Sequence, residues 1–292
     1  MPTPHDVVLD TDTYNEVDDQ FALAHLLLSP ETINLEAVYA APFFNKRSSG
    51  PAEGMEKSYE EIHRLLDLVK PERVPPVFRG STRYMADATT PVESDVVTDL
   101  IERAMAPRTK KLHVLAIGAA TNIASALLAE PAIAEKIVVV WLGGHGPRCR
   151  DAKEFNLEQD IHASRVLLNT EVPFVLLPCF PVVSHIITTV AELEAHLEPH
   201  SKLGAYLTNI VRDYHGNPPA WSKVIWDIAA SAWMINPDWV RTETLPSPVL
   251  LDDLTWESPV PAGRRSIEIA YQVKRDAIFG DFFAKARAGA SA

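Results

Sequence analysis

Short apolar runs and amphipathic stretches alternate along roughly the first 180 residues of the chain. DVVLD (6–10), INLEAVYAA (33–41), PPVFRG (75–80), KLHVLAIG (111–118), KIVVVWLGG (136–144) and VPFVLLP (172–178) read as buried strands. DDQFALAHLLL (18–28), the segments 50–69 and 93–105, TNIASALLAE (121–130) and a stretch near 158–169 read as helices. In 50–69 the apolar Met55, Tyr59, Ile62, Leu65, Leu66 and Val69 recur near helical spacing. Gly, Pro and Asn punctuate the junctions. Strand and helix in strict alternation predict βαβ units and a parallel sheet. After about residue 185 the pattern turns helical, through 190–197, 200–214 and 224–235. PSPVLLDDL (246–254) and RRSIEIAYQV (264–273) read as strands, and a last helix is expected near 276–288. No repeat period or low-complexity tract interrupts the chain. The expectation is one α/β domain over 1–292, with a mainly parallel central sheet flanked by helices and a helical cap region.

Composition narrows the function classes. The chain is 47% hydrophobic, enough for a sizeable core, which excludes wholesale disorder. With 39 acidic and 27 basic side chains its net charge is −12, which argues against a nucleic-acid or anionic-membrane surface. The two cysteines, Cys149 and Cys179, suit neither a disulfide framework nor zinc-ligand spacing. No basic-then-apolar leader opens the sequence and no apolar run reaches the ~20 residues of a membrane helix, so a reducing, cytoplasmic setting is expected.

Open parallel sheets bind ligands at the carboxyl ends of their strands. The first such end is LDTDTYNEVDDQFAL. Asp10, Asp12, Asp18 and Asp19 bracket a short loop, with Glu16 beside them. Asp10 and Asp12 are two apart at a strand end and point the same way. Acids packed this closely raise each other's pKa, and a hard cation such as Ca²⁺ or Mg²⁺ relieves the repulsion. A helix cap alone would need one acid, not four.

VVLDTDTY resembles the start of aspartyl-phosphate phosphatases of the haloacid dehalogenase type. DTDTYNEVDDQFAL is more similar to the N-terminal signature of the nucleoside hydrolases, the inosine–uridine nucleoside ribohydrolase superfamily, with about two extra loop residues within TYNEV. Later segments follow that family's order: LAIGAATNIASALL (115–128), WLGGHG (141–146), KEFNLEQD (153–160) and IWDIAASAWMINPDWV (225–240). The phosphatase type would want a lysine in a later loop, for which GDFFAK is a poor substitute.

The resemblance implies a Ca²⁺ held by Asp12, Asp19, Asp227 and the backbone carbonyl of Ile117. Asp10 would support these ligands from behind. Asp18 would hold a ribose hydroxyl, and Glu154 and Asn156 the sugar's other edge. It further implies a water activated by the cation, Asp12 as general base, and attack on the anomeric carbon of a ribonucleoside. The oxocarbenium-like sugar would be stabilised by the surrounding carboxylates. Many members place a histidine before the late Asp; this chain has Trp226 before Asp227. That pair resembles the purine-preferring inosine–adenosine–guanosine subgroup, in which indoles stack on the base. Ordinary packing at a helix start is the other reading of Trp226.

A second stacking aromatic would come from Phe43, Phe44, Tyr84 or Trp221. APFFN (41–45) departs from the family's Gly-Asn, and Arg148 falls near a sugar-contacting Asn, where it reads first as a solvated loop arginine and otherwise as a sign of a phosphorylated substrate. His145 and His215 are further candidates, and 213–224 reads as a lid-like polar loop. Cys149, between two arginines, carries no assigned role. The expected partner is a small nucleoside, with no nucleic acid and no membrane, in a homo-dimer or homo-tetramer. Two alternatives stay open: a Mg²⁺-dependent phosphatase with Asp10 as nucleophile, and a non-catalytic nucleoside- or ribose-binding relative.

Overall fold

Alternate residues of the buried strands fall into two separate apolar cores, so the strands are covered on both faces. Val7 and Leu9 pack into one core and Val8 into the other. Val140 and Leu142 likewise oppose Val139 and Trp141. This is the period-2 geometry of a strand with helices on both sides. It is seen in a computed structural model that describes residues 3–288.

In chain order the elements are β1 (His5–Thr11), α1 (Asp19–Leu27), β2 (Ile33–Ala40), α2 (Pro51–Val69), β3 (Val77–Arg79), α3 (Asp95–Met105), β4 (Leu112–Ala116), α4 (Thr121–Ala129) and β5 (Ile137–Leu142). Next come α5 (Phe155–Gln159), α6 (Ile161–Asn169), β6 (Phe174–Leu177), β7 (Ile187–Thr188), α7 (Val190–His196) and α8 (Lys202–His215). The last are β8 (Lys223–Val224), α9 (Ile228–Ile235), β9 (Val240–Pro246), β10 (Ser266–Val273) and α10 (Arg275–Ala288). The main sheet runs β3-β2-β1-β4-β5-β6-β10-β9, parallel except for the edge strand β9, which is antiparallel to β10. β7 and β8 form a separate antiparallel pair.

Strand order reverses between β1 and β4, where Asp10 is in register with Ala116. Such a reversal opens a crevice at the carboxyl ends. α1 enters it from β1 and is buried at every position, packed against α2, α9 and α10. α2 shows the expected amphipathic face, with Met55, Ile62, Leu65 and Leu66 buried and Tyr59 and Val69 half-buried.

Three local expectations change. The helix near 158–169 is two helices, broken where the Asp160 carboxylate accepts hydrogen bonds from Ala163 N (2.9 Å), Met85 N (2.9 Å) and Thr121 Oγ1 (2.7 Å). The helix expected from 224 starts at Ile228, because Lys223 and Val224 pair with β7 instead. The strand expected at 246–254 is largely irregular: Pro246 and Pro248 lack ladder N–H groups. The pairing strand is β9 before it. Among the described residues no helix is long and apolar enough to cross a membrane.

Candidate active site

The turn after β1 buries its acids rather than exposing them. Asp10 and Asp12 are fully buried and Asp18 and Asp19 nearly so. Asp227, at the start of α9, joins them: Asp18, Asp19 and Asp227 offer carboxylate oxygens within 4.8 Å of one another. Asp12 stands close enough for its charge to act on Asp227.

Burial dominates the electrostatics. It pushes the Asp10 carboxyl up to about 7, against a bond from Asn122 that favours ionisation. Burial and then the charge of Asp18 raise Asp19 to about 8. Asp12 is raised by burial first, then by Asp19, Asp18 and Asp10. Asp227 is raised by burial, then by Asp19, Asp18 and Asp12. These aspartates repel one another in a medium that screens poorly.

Hydrogen bonds relieve only part of the cost. Asp19 Oδ1 accepts from Thr11 Oγ1 at 2.5 Å. Asp18 Oδ2 accepts from the Trp226 backbone N–H at 3.1 Å. Asp10 Oδ1 accepts from Asn122 Nδ2 at 2.8 Å, while Asn122 Oδ1 accepts from Ser81 N at 2.8 Å. Neither oxygen of Asp12, nor Oδ2 of Asp10, has a hydrogen-bond partner among the described residues. Buried carboxylate oxygens without donors are costly unless a cation meets them. An all-oxygen donor set of this kind fits a hard divalent metal. Gly118 keeps the approach open, since a Cβ there would lie 3.0 Å from Asp12 Cγ. Asn122→Ala is expected to destabilise the fold by about 1–3 kcal/mol, because it orphans both Asp10 Oδ1 and Ser81 N. Urea denaturation of the chelated protein measures it.

A cavity of about 280 Å³ lies over this cluster, lined by Asn15, Glu16, Asp18, Ile117, Leu142, His145, Glu154, Phe155, Asn156, Cys179, Trp226 and Asp227. Six of the residues given a metal or substrate role from sequence are in its wall, Asp18, Ile117, Glu154, Asn156, Trp226 and Asp227, as are Glu16 and His145. Asp10, Asp12 and Asp19 are buried and are not part of the wall. A larger hollow of about 470 Å³, around Asp6, Asn34 and Arg73, sits at the opposite ends of β1 and β2. It is far from the unpartnered acids, so the smaller cavity is the chemical one.

The far wall is fixed by backbone. Gly144, with φ of 67°, turns the chain after β5 so that its N–H donates to Glu154 Oε2 at 2.8 Å. Glu154 also caps α5, accepting from Asn156 N at 3.0 Å and Leu157 N at 3.2 Å. Asn156 Nδ2 donates to Ile117 O at 3.3 Å and Leu142 O at 3.1 Å. The carbonyl expected to face the cation is thereby held by a residue expected to face the sugar.

Several expectations are not met by the geometry. Among Phe43, Phe44, Tyr84 and Trp221, none lines the cavity. Phe43 is fully buried, and the Tyr84 hydroxyl bonds to Gln159. Trp221 stacks on His215 at 5.5 Å instead. Phe155 is the other aromatic in the wall. Arg148 points to solvent, 88% exposed, and does not reach the cavity. His145 does line it, with Nδ1 3.2 Å from Asp151 Oδ1.

The most consequential residue missed is Lys223. It is buried, with Nζ 2.5 Å from Glu16 Oε2 and 3.7 Å from Asp18 Oδ1. No local motif points to it, because the contact spans 207 residues. Asn122 is visible in the sequence as the Asn of the Thr-Asn segment, but its bonds to Asp10 and Ser81 appear only in the fold.

Comparison with known proteins agrees with this arrangement. No curated protein matches by sequence. Among solved structures, a plant nucleoside hydrolase shares 19% identity at a TM-score of 0.75, covering 98% of this chain and 100% of that one. A purine-preferring ribonucleoside hydrolase from Gardnerella vaginalis shares 20% at 0.71, covering 98% and 99%. An inosine-guanosine nucleoside hydrolase shares 15% at 0.78, covering 97% and 99%. At these identities the likeness establishes the fold. The sequence model of one family, the inosine-uridine preferring nucleoside hydrolases, matches residues 7–279. That span takes in every acid of the buried cluster, and the family is metal-dependent, which suits a buried acidic cluster able to hold a metal. The chain therefore belongs to the inosine-uridine preferring nucleoside hydrolase family of N-glycosidases.

Proposed function

We propose that the protein is a calcium-dependent ribonucleoside hydrolase, one domain over 1–292, that favours purine nucleosides and releases free base and ribose. The observation that carries this reading is the pair of buried, unpartnered Asp12 oxygens beside the Asp18–Asp19–Asp227 group. Asp12, Asp19, Asp227 and the Ile117 carbonyl would hold the ion. Ca²⁺ suits the set better than Mg²⁺, because it accepts mixed carboxylate and carbonyl oxygens in looser geometry. A bound divalent cation supplies charge neutralisation and acidifies a water for attack.

The chain's own groups do the rest. Asp18, at the cavity wall, accepts a hydrogen bond from a ribose hydroxyl and orients the ring. Asn156 and Glu154 hold the sugar's other edge, and that fixed orientation lowers the barrier to attack. Asp12 takes the proton of the attacking water. The C1′–N bond breaks with its electron pair passing to the base, and the buried carboxylates stabilise the positive charge that grows on the sugar. Asp10, fully buried with Oδ1 held by Asn122, acts from behind the ligands.

Trp226 lines the cavity beside Asp18, and two of the structural neighbours are named for purine substrates. Stacking on the indole stabilises a large, electron-poor leaving ring. Trp226→Ala is expected to lower kcat/KM for purine nucleosides by about tenfold or more while affecting pyrimidine nucleosides less. Steady-state assays on inosine and uridine measure it, and equal losses on both would sink the stacking role. The whole reading is tested by base and ribose release with Ca²⁺, after chelation, and after Ca²⁺ is restored. We also take the working protein to be a homo-dimer or homo-tetramer, which light scattering decides.

A further inference from the structure

The loop between Asp12 and Asp18 is fastened more firmly than a flexible lid would be. Asn45 Nδ2 donates to Asn15 Oδ1 at 2.6 Å and to Asn15 O at 3.2 Å. Arg47 Nη1 donates to Glu16 O at 2.6 Å. Lys223 Nζ donates to Glu16 Oε2 at 2.5 Å, from a side chain only 7% exposed. Tyr214 stands beside the pair and helps to hold Glu16, while Lys223 makes the short bond to Glu16 Oε2. The result is a fixed carboxylate in the cavity wall, one oxygen taken and Oε1 without a hydrogen bond among the described residues. The Glu16 side chain is 34% exposed, so a ligand can reach it.

Its position relative to the substrate follows from the two ends of the cavity. Glu154 and Asn156 approach from the β5 side. Glu16, Asp18 and Trp226 approach from the β1 and β8 side. This step rests on the proposed reading, in which Trp226 meets the base and Glu154 the sugar's far edge. Glu16 shares this side with Asp18, the ribose contact, and with Trp226, the base contact, and in the proposal it faces the base.

We propose that Glu16, positioned by Lys223, is the specificity-determining residue that reads the leaving base, selecting 6-oxopurine ribonucleosides through their ring N1–H. An ionised carboxylate only accepts hydrogen bonds. Hypoxanthine and guanine offer N1–H to it. Unsubstituted purine presents only a lone pair at N1 and is repelled, and adenine presents that lone pair with its single neighbouring N6–H donor displaced from it, a poorer match. A site built to accept a donor rejects the analogue lacking it because its own polar group is left unpaired. For a partly exposed carboxylate the preference is about 10–100-fold. Lys223 is the positioning residue: it sets the rotamer of Glu16 and ties the loop to β8.

The test compares kcat/KM for inosine, guanosine, adenosine, purine riboside and 4-nitrophenyl riboside, the last having no base edge to read. Calorimetric binding of inosine and purine riboside to the Ca²⁺-loaded protein accompanies it. The wild type is expected to favour inosine and guanosine over adenosine and purine riboside by at least about tenfold. Glu16→Gln should bring that ratio to within about threefold, in turnover and in binding, and lower inosine relative to 4-nitrophenyl riboside. Lys223→Met should lose the same ratio and Lys223→Arg should recover it, which a role in folding alone would not produce. A wild type without the preference, or a Glu16→Gln that changes all ribosides equally, overturns the inference. A wild type that cleaves none of the five overturns the hydrolase reading instead, and the binding ratios then still decide the role of Glu16.

Discussion

Asp19→Ala is expected to cut nucleoside cleavage by about 10³-fold and to weaken Ca²⁺ binding in parallel. Asp19 sits at the first position of α1, a helix buried at every residue, with Oδ1 fixed by Thr11. No mobile side chain nearby can take its place. Chelating the wild type should give the same loss of activity, restored when Ca²⁺ is returned. The variant should not recover at Ca²⁺ concentrations that saturate the wild type. Ribose release and calorimetric Ca²⁺ titration measure the two effects. Full activity in Asp19→Ala, or in chelated wild type, would remove the cation from the reaction.

Asp12→Asn is expected to lower kcat by about 10²–10⁴-fold while making the chelated protein more stable. The opposite signs come from one cause. The two Asp12 oxygens are buried without donors and surrounded by other carboxylates. Without a cation their charge opposes folding; with it they take the proton of the attacking water. The pH dependence carries the same sign. Asp10 and Asp19 are raised to about 7 and about 8 from 3.8, so the folded chain holds protons that the unfolded chain has released. Their stabilisation is complete below the unfolded value and is lost as pH rises through the folded values. His25 and His113 are held neutral by burial and contribute the opposite slope below their ordinary 6.5. The clean window is therefore about pH 6.5 to 8. There the Tm of chelated wild type should fall with pH, Ca²⁺ should flatten the curve, and Asp12→Asn should show a shallower fall. Differential scanning calorimetry measures all three, and a flat profile for chelated wild type would contradict the account.

The parallel sheet and the acid cluster were legible in the sequence for specific reasons. Buried strands such as 136–144 are apolar on both faces, so their runs are continuous and bounded by turn residues. Asp10, Asp12, Asp18 and Asp19 are too many for one helix cap. β9 was hidden because it is an edge strand: in VRTETLP only Val240 is buried. The start of α9 was misplaced because β8 is held by β7, an interaction that no local pattern reports. Lys223 was illegible for the same reason, since its partners lie on the far side of the chain. Trp226 could be read as stacking or as packing; its place in the cavity wall was decided by tertiary structure alone.

The bond from Asn156 Nδ2 to the Ile117 carbonyl joins two binding events to one peptide group. A carbonyl oxygen has two lone pairs; here one is used by the amide and the other is open toward the acids. In the proposed site a cation on the other lone pair would draw density from that oxygen and make it a poorer acceptor for Asn156, so filling the metal site would free the amide for the sugar. By thermodynamic reciprocity, the factor by which calcium tightens nucleoside binding equals the factor by which nucleoside tightens calcium. In that proposal the ion and the substrate would each favour the other's binding, and an enzyme at work would retain its ion more tightly than an idle one.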